Sequence, residues 1–191
     1  MELNDLALWG TFLSGLGALA ALVISLTQIK KDANFNEANF WLTLRELFHH
    51  QDRRCVHNDF REGRWQTIKP TEIDDWIKIE DYLGLFEICE RMLERKIINE
   101  KMFRSLYEYR VYNFLKNSEV AKCKLIYEHY DWTYLYKLLN RLYGDHWEEM
   151  RQFLTSLEID YNEIDSESQL LAKLKKSEKE KFKKLREKAK I

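Results

Sequence analysis

Apolar side chains are distributed along this chain in two regimes. From Leu6 to Ile29 they form a run without a charged residue, and from Phe40 onward they recur every three or four positions among polar ones. At 1.5 Å per residue the first run would make a helix roughly 36 Å long, enough to cross a hydrocarbon core of about 30 Å. It predicts a transmembrane helix within residues 1–31. Glu2 and Asp5 stand where a secretory signal would carry basic residues, so the helix is expected to be retained. Lys30 and Lys31 follow the run, which predicts an N-terminus outside and everything after them in the cytoplasm.

The second regime has the period of helices. Asp32 to His50 carries Phe40, Leu44, Leu47 and Phe48 on one side and continues the membrane helix without a breaker. A polar segment around Asn58 to Lys69 ends at Pro70, and Thr71 with Asp74 has capping-box spacing for a helix whose inward face is Ile73, Ile77, Leu83, Phe86 and Leu93. Asn99 is expected to cap a helix carrying Phe103, Leu106, Tyr107, Val111 and Phe114; Ser118 caps one carrying Val120, Leu125 and Ile126. Asp131 opens a helix with Trp132, Leu135, Leu138 and Leu142 that stops at Gly144, and His146 begins another with Met150, Phe153 and Leu157. The sequence thus predicts an all-α chain: the span, a helical bundle over residues 32–160, and a Lys-rich tail over 161–191. In the tail Leu171, Leu174, Phe182 and Leu185 are too sparse to bury well, which predicts a solvated or frayed helix.

Composition agrees with helices. One proline and six glycines supply few turns for a strand-rich fold. The net charge of -1 conceals an imbalance, because Ala172 to Ile191 holds ten Lys or Arg against three Glu. Plain solvation is the first expectation for such a tail, with contact to an anionic leaflet, RNA or protein as the alternatives. Cys55, Cys89 and Cys123 are odd in number and widely spaced, which argues against a disulfide framework or a zinc site and for a reducing compartment.

The span is two-faced. At 100° per residue Gly10, Ser14, Gly17, Ala21, Ser25 and Gln28 fall on one side, with Leu8, Phe12, Leu19, Val23 and Leu26 opposite. Small residues so spaced let helix backbones approach in lipid. Self-association is the natural reading, and a seam containing Ser and Gln also makes conceivable a pore lined by identical helices. A lone anchor with incidental small residues is the third alternative.

Candidate chemistry is sparse. No phosphate-cradling glycine loop, nucleophile elbow or metal-ligand spacing occurs, and His49, His50 and His57 lack a carboxylate or Cys in register, so neither metal nor cofactor is expected. What remains is Arg followed five residues later by His, in Arg45 with His50 and Arg141 with His146. That spacing resembles the ribonuclease motif of HEPN helical bundles, which implies an Arg that stabilises charge on a scissile phosphate and a His that transfers a proton. Active members carry a polar residue after the Arg; here Glu46 is charged and Leu142 apolar, so no catalysis is expected. The alternative for Arg45 and Arg110 is structural, as ion pairs with Glu80 or Glu87, since a buried arginine needs a partner.

Three segments carry a wider resemblance: Phe40 to Phe48 around Arg45, Asp81 to Glu87, and Tyr107 to Asn113 around Arg110. Over residues 35–143 the chain resembles small bacterial proteins with one N-terminal membrane helix and a helical domain. Its layout is most similar to the membrane accessory proteins of type VI-B CRISPR loci, which have a divergent HEPN-like domain. The resemblance implies an antiviral role in the bacterial inner membrane beside an RNA-guided RNA nuclease. Copies would form a ring-shaped pore, lined by the Gly10 to Gln28 seam, that depolarises the membrane. A membrane-tethered ribonuclease and a passive anchored adaptor are the competing expectations.

Overall fold

The computed structural model describes Gln28, Phe35, residues 37–164 and residues 166–189. The chain divides into two compact units, Met1–Arg45 and Glu46–Ile191. In the first, residues 37–45 are helical, and Trp41 Nε1 donates to Glu37 Oε1 at 3.2 Å, one turn earlier. The expected transmembrane run lies outside the described residues apart from Gln28. Among the described residues no helix is long and apolar enough to cross a membrane.

The second unit is helical, with no strand among its described residues. After a helical turn at residues 46–49 come α1 (Gln51–Glu62), α2 (Ile73–Glu94), α3 (Glu100–Lys116), α4 (Ser118–Lys122) and a π-helical turn (Cys123–Tyr127). These are followed by α5 (Thr133–Tyr143), α6 (His146–Thr155), a 3-10 turn (Tyr161–Glu163), α7 (Glu167–Lys173) and α8 (Lys176–Ala189). The long α2 packs against α1 on one side and α5 on another; α1 also meets α3, and α6 joins α5 to α8.

Aromatic rings fill the space between α1, α2 and α3. Phe48 lies 4.9 Å from Tyr107, 5.3 Å from Phe86 and 5.6 Å from Tyr82, measured between ring centroids. Phe60 continues the cluster to Tyr82, Trp65 and Phe114 at 5.4–5.8 Å. Contacts of this kind contribute about 0.5–1.5 kcal/mol each beyond the apolar area they bury.

Several local expectations are corrected. Residues 51–62, partly assigned to a polar connector, form α1, because Val56 and Phe60 four residues apart are enough to seat it beside His57. It ends at Gly63, whose φ of +74° is the left-handed conformation that closes helices, with the Gly63 N–H donating to the Phe60 carbonyl. Ile73 and Ile77 do not face inward: they are 78% and 57% exposed, and the buried face of α2 begins at Ile79. No side-chain cap forms at its start, where Asp74 pairs with Lys78 instead of closing a box with Thr71. Leu106 is exposed as well.

Caps elsewhere follow mixed rules. Asn99 caps α3 as expected, its Oδ1 accepting from Met102 N at 3.2 Å. Ser118 does not cap; its hydroxyl donates to the Gln66 carbonyl at 2.6 Å. Asp131 is exposed, and α5 is capped from another helix: Glu87 Oε1 of α2 accepts from Tyr134 N at 3.0 Å and Leu135 N at 3.3 Å. Gly144 ends α5 at φ +108°, a conformation unfavourable for any side chain.

The C-terminal segment is not a solvated tail, and residue 161 does not divide the unit. Leu170, Leu174, Phe182, Leu185 and Ala189 are buried, and α8 packs on α6. Leu170, not Leu171, is buried in α7. Arg186 pairs with Glu167, Lys173 Nζ reaches Glu163 at 3.0 Å, and Lys181 lies 5.0 Å over the Phe153 ring. Part of the basic excess is therefore used in holding the segment down.

The fully buried Asn117 ties the α1 exit to the α3–α4 junction. Its Oδ1 accepts from Trp65 N at 2.9 Å, while Nδ2 donates to the Phe60 and Asn113 carbonyls, each at 2.8 Å. Asn117→Ala leaves these buried groups without partners. It is expected to lower the unfolding free energy by roughly 3 kcal/mol at unchanged m-value, checked by urea titration of the full chain followed by circular dichroism.

Candidate functional site

The sequence candidates separate in space and in chemistry. Of the seam on the span, Gly10, Ser14, Gly17, Ala21 and Ser25 lie outside the described residues, and Gln28 is helical and exposed. Arg45 is exposed at the end of the first unit. His50 is exposed at the N-cap of α1, with Nδ1 3.9 Å from the Asp52 carboxylate.

Arg141 is committed to structure. Its Nε and Nη2 donate to the two oxygens of Glu90 at 2.9 and 2.6 Å, and Nη1 reaches Glu100 at 3.4 Å. Glu90 is 1% exposed, so this bidentate pair neutralises a carboxylate that burial would otherwise penalise heavily. Those hydrogen bonds hold the Arg141 guanidinium well above its ordinary pKa. His146, the first residue of α6, lies beside Trp147 and has its pKa lowered first by burial and next by Lys188. Among the described residues no group of three His, Cys, Asp or Glu side chains converges as metal ligands.

The ion pairs expected among Arg45, Glu80, Glu87 and Arg110 are replaced by other partners. Glu80 accepts from Lys124 Nζ at 2.6 Å, a bond that the buried lysine duplicates with Glu128, while its ammonium lies 4.7 Å over the Trp76 ring. Glu87 is turned toward the start of α5 as its cap. Arg110 has neither carboxylate, because its position on α3 turns it toward Phe48.

What surrounds Arg110 is the unusual arrangement of the fold. The residue is 6% exposed, its guanidinium lies 5.0 Å over the Phe48 ring and 5.4 Å from the Tyr109 ring, and neither Nε nor Nη1 has a hydrogen-bond partner. Beside it, His57 Nδ1 of α1 is 3.4 Å from the Tyr82 hydroxyl of α2, and the His57 ring meets the edge of Tyr109 at 5.6 Å. Burial lowers the His57 pKa to about 4, with positive charge on Arg110, Arg61 and His49 adding to the shift. Burial likewise pushes the Tyr82 hydroxyl up to about 12, against the opposing pull of Arg110. Cation–π contacts contribute about 0.5–2 kcal/mol each, whereas an unpaired buried ion costs several kcal/mol. The two rings and the Tyr82 hydroxyl therefore offset only part of the cost of placing a guanidinium here.

Sequence periodicity contained a signal for this site. Tyr107, Arg110, Val111 and Phe114 follow the inward spacing of α3, so a cation occupies a position where an apolar residue is expected. His57 carried no comparable mark. No family model, curated protein or solved structure matches the chain.

Two outcomes follow from these charges. Arg141→Met strands the Glu90 carboxylate and is expected to cost about 3–5 kcal/mol of stability, most of it recovered in the double variant Glu90→Leu/Arg141→Met; denaturant unfolding of both checks it. His57 resists protonation in the fold, so between pH about 6.5 and about 4 the unfolded chain binds the extra proton. Its contribution to stability is full above that window and falls through it by roughly 3 kcal/mol as the pH drops. His57→Gln should flatten that part of the stability–pH curve.

Proposed function

We propose that this chain is a membrane-anchored antiviral effector that acts by assembling copies of itself, the span opening a conductive path that depolarises the inner membrane. The helical unit, in this reading a divergent HEPN-like domain on the cytoplasmic side, organises the assembly and has no nuclease activity. The observation that carries the proposal is the charge-free run from Leu6 to Ile29 with its one-sided seam of Gly10, Ser14, Gly17, Ala21, Ser25 and Gln28. A lone anchor has no need of a seam, because lipid surrounds it evenly; close packing between helices does. The resemblance to accessory proteins of type VI-B CRISPR loci supports the defence role beside an RNA-guided RNA nuclease.

The absence of a nuclease role is supported by Arg141. An arginine whose Nε, Nη1 and Nη2 all contact Glu90 or Glu100 is poorly placed to stabilise charge developing on a phosphate.

The test is made in phage-challenged cells with a potential-sensitive dye. Ser14→Leu with Gly17→Leu fills the seam and is expected to abolish depolarisation at unchanged expression; undiminished dye uptake would overturn the proposal. The mass of the detergent-solubilised full chain supplies an independent check. A closed ring supports conduction, and an isolated single chain rules it out.

A further inference from the structure

We propose that Arg110, together with His57 and Arg61, binds the phosphate group of a small phosphate ester at the meeting point of α1, α2 and α3. The inference is independent of the span and of conduction. It starts from the guanidinium, buried to 6% exposure with two nitrogens unpartnered and no carboxylate paired with it.

A second arginine lies near the same histidine. Arg61 follows His57 by one turn of α1, and with Arg110 it holds the His57 pKa down beyond the effect of burial. A doubly charged phosphate suits such a cluster better than a single carboxylate, since it can meet more than one cation while accepting hydrogen bonds through several oxygens. Arginine also binds phosphate through directed N–H donors, and two nitrogens of Arg110 have none of their capacity used.

Tyr109 links the buried guanidinium to the surface. Its ring is 47% exposed, yet it contacts both Arg110 and His57. A planar, half-exposed ring there provides a surface on which the organic part of an ester, such as a nucleobase, can stack.

Arg141 shows why Arg110 differs from an ordinary structural arginine. Arg141 is more exposed and nevertheless bidentate to a carboxylate, whereas Arg110 is more deeply buried and has the Phe48 and Tyr109 rings and the Tyr82 hydroxyl beside it, with Nε and Nη1 unpartnered. Replacing Arg110 by a neutral residue should accordingly leave the fold intact in the absence of ligand.

The full chain in detergent is tested by thermal unfolding and titration calorimetry. Inorganic phosphate is compared with chloride at matched ionic strength, and adenosine monophosphate with adenosine. Phosphate and the monophosphate are expected to raise the unfolding temperature, with chloride and adenosine without effect. Arg110→Gln should weaken monophosphate binding by about tenfold or more, as loss of a charge-assisted hydrogen bond requires, while unfolding no earlier than the parent in chloride. Arg61→Gln, at an exposed position that cannot compromise the core, should weaken it by a smaller factor of about three, as for an exposed charge pair. Equal phosphate responses in the parent and both variants, or a response to adenosine matching that to the monophosphate, would overturn the proposal.

Discussion

The packing of Phe48 against Tyr82, Phe86 and Tyr107 is the contact on which the second unit turns. It joins the helical turn before α1 to α2 and α3 at once, so one ring touches three elements. Phe60 repeats the arrangement one layer along, reaching Trp65, Tyr82 and Phe114. Because aromatic rings are large and rigid, these contacts leave few alternative packings. Arg110 rests on the same Phe48 face, and its position follows from the core rather than from any charged partner.

Away from that core the helices are joined by polar groups that reach across from one element to satisfy another. Glu87 of α2 caps α5, Asn117 serves the exit of α1, and Glu90 of α2 takes Arg141 of α5. Each removes a buried polar group that would otherwise cost about 1–3 kcal/mol or more. Lys124 lies in the π-helical turn between Glu80 and Glu128, where an ammonium is nearly fully buried yet has two carboxylates in reach. Against this background the unpaired guanidinium of Arg110 is an exception, and it lies beside a neutral histidine and an exposed tyrosine.

The helices were legible in the sequence where apolar spacing is dense and a cap is local. Asn99 and Gly144 were readable because both act within their own turn of chain. Ile73 and Ile77 were misread because a hydrophobic residue at a helix start satisfies the pattern whether or not another element covers it. The C-terminal segment was misread for the opposite reason. Five buried residues across α7 and α8 look thin against so many lysines, yet they suffice where α6 offers an apolar surface. Of the candidate site, Arg110 stood out as a cation in an inward position, while His57 and Tyr82 could not be joined to it by spacing.

By itself the sequence determined the helical class, most helix starts and stops, and a charge-free run long enough for a bilayer. Each of these is local: a period, a cap or an uninterrupted stretch acts within a few residues of where it is written. Only the tertiary structure decided which arginine is neutralised and which is not. Ionic partners are chosen by distance across helices, so Glu80, Glu87 and Glu90 went to Lys124, to the start of α5 and to Arg141, and Arg110 was left with aromatic rings and the Tyr82 hydroxyl.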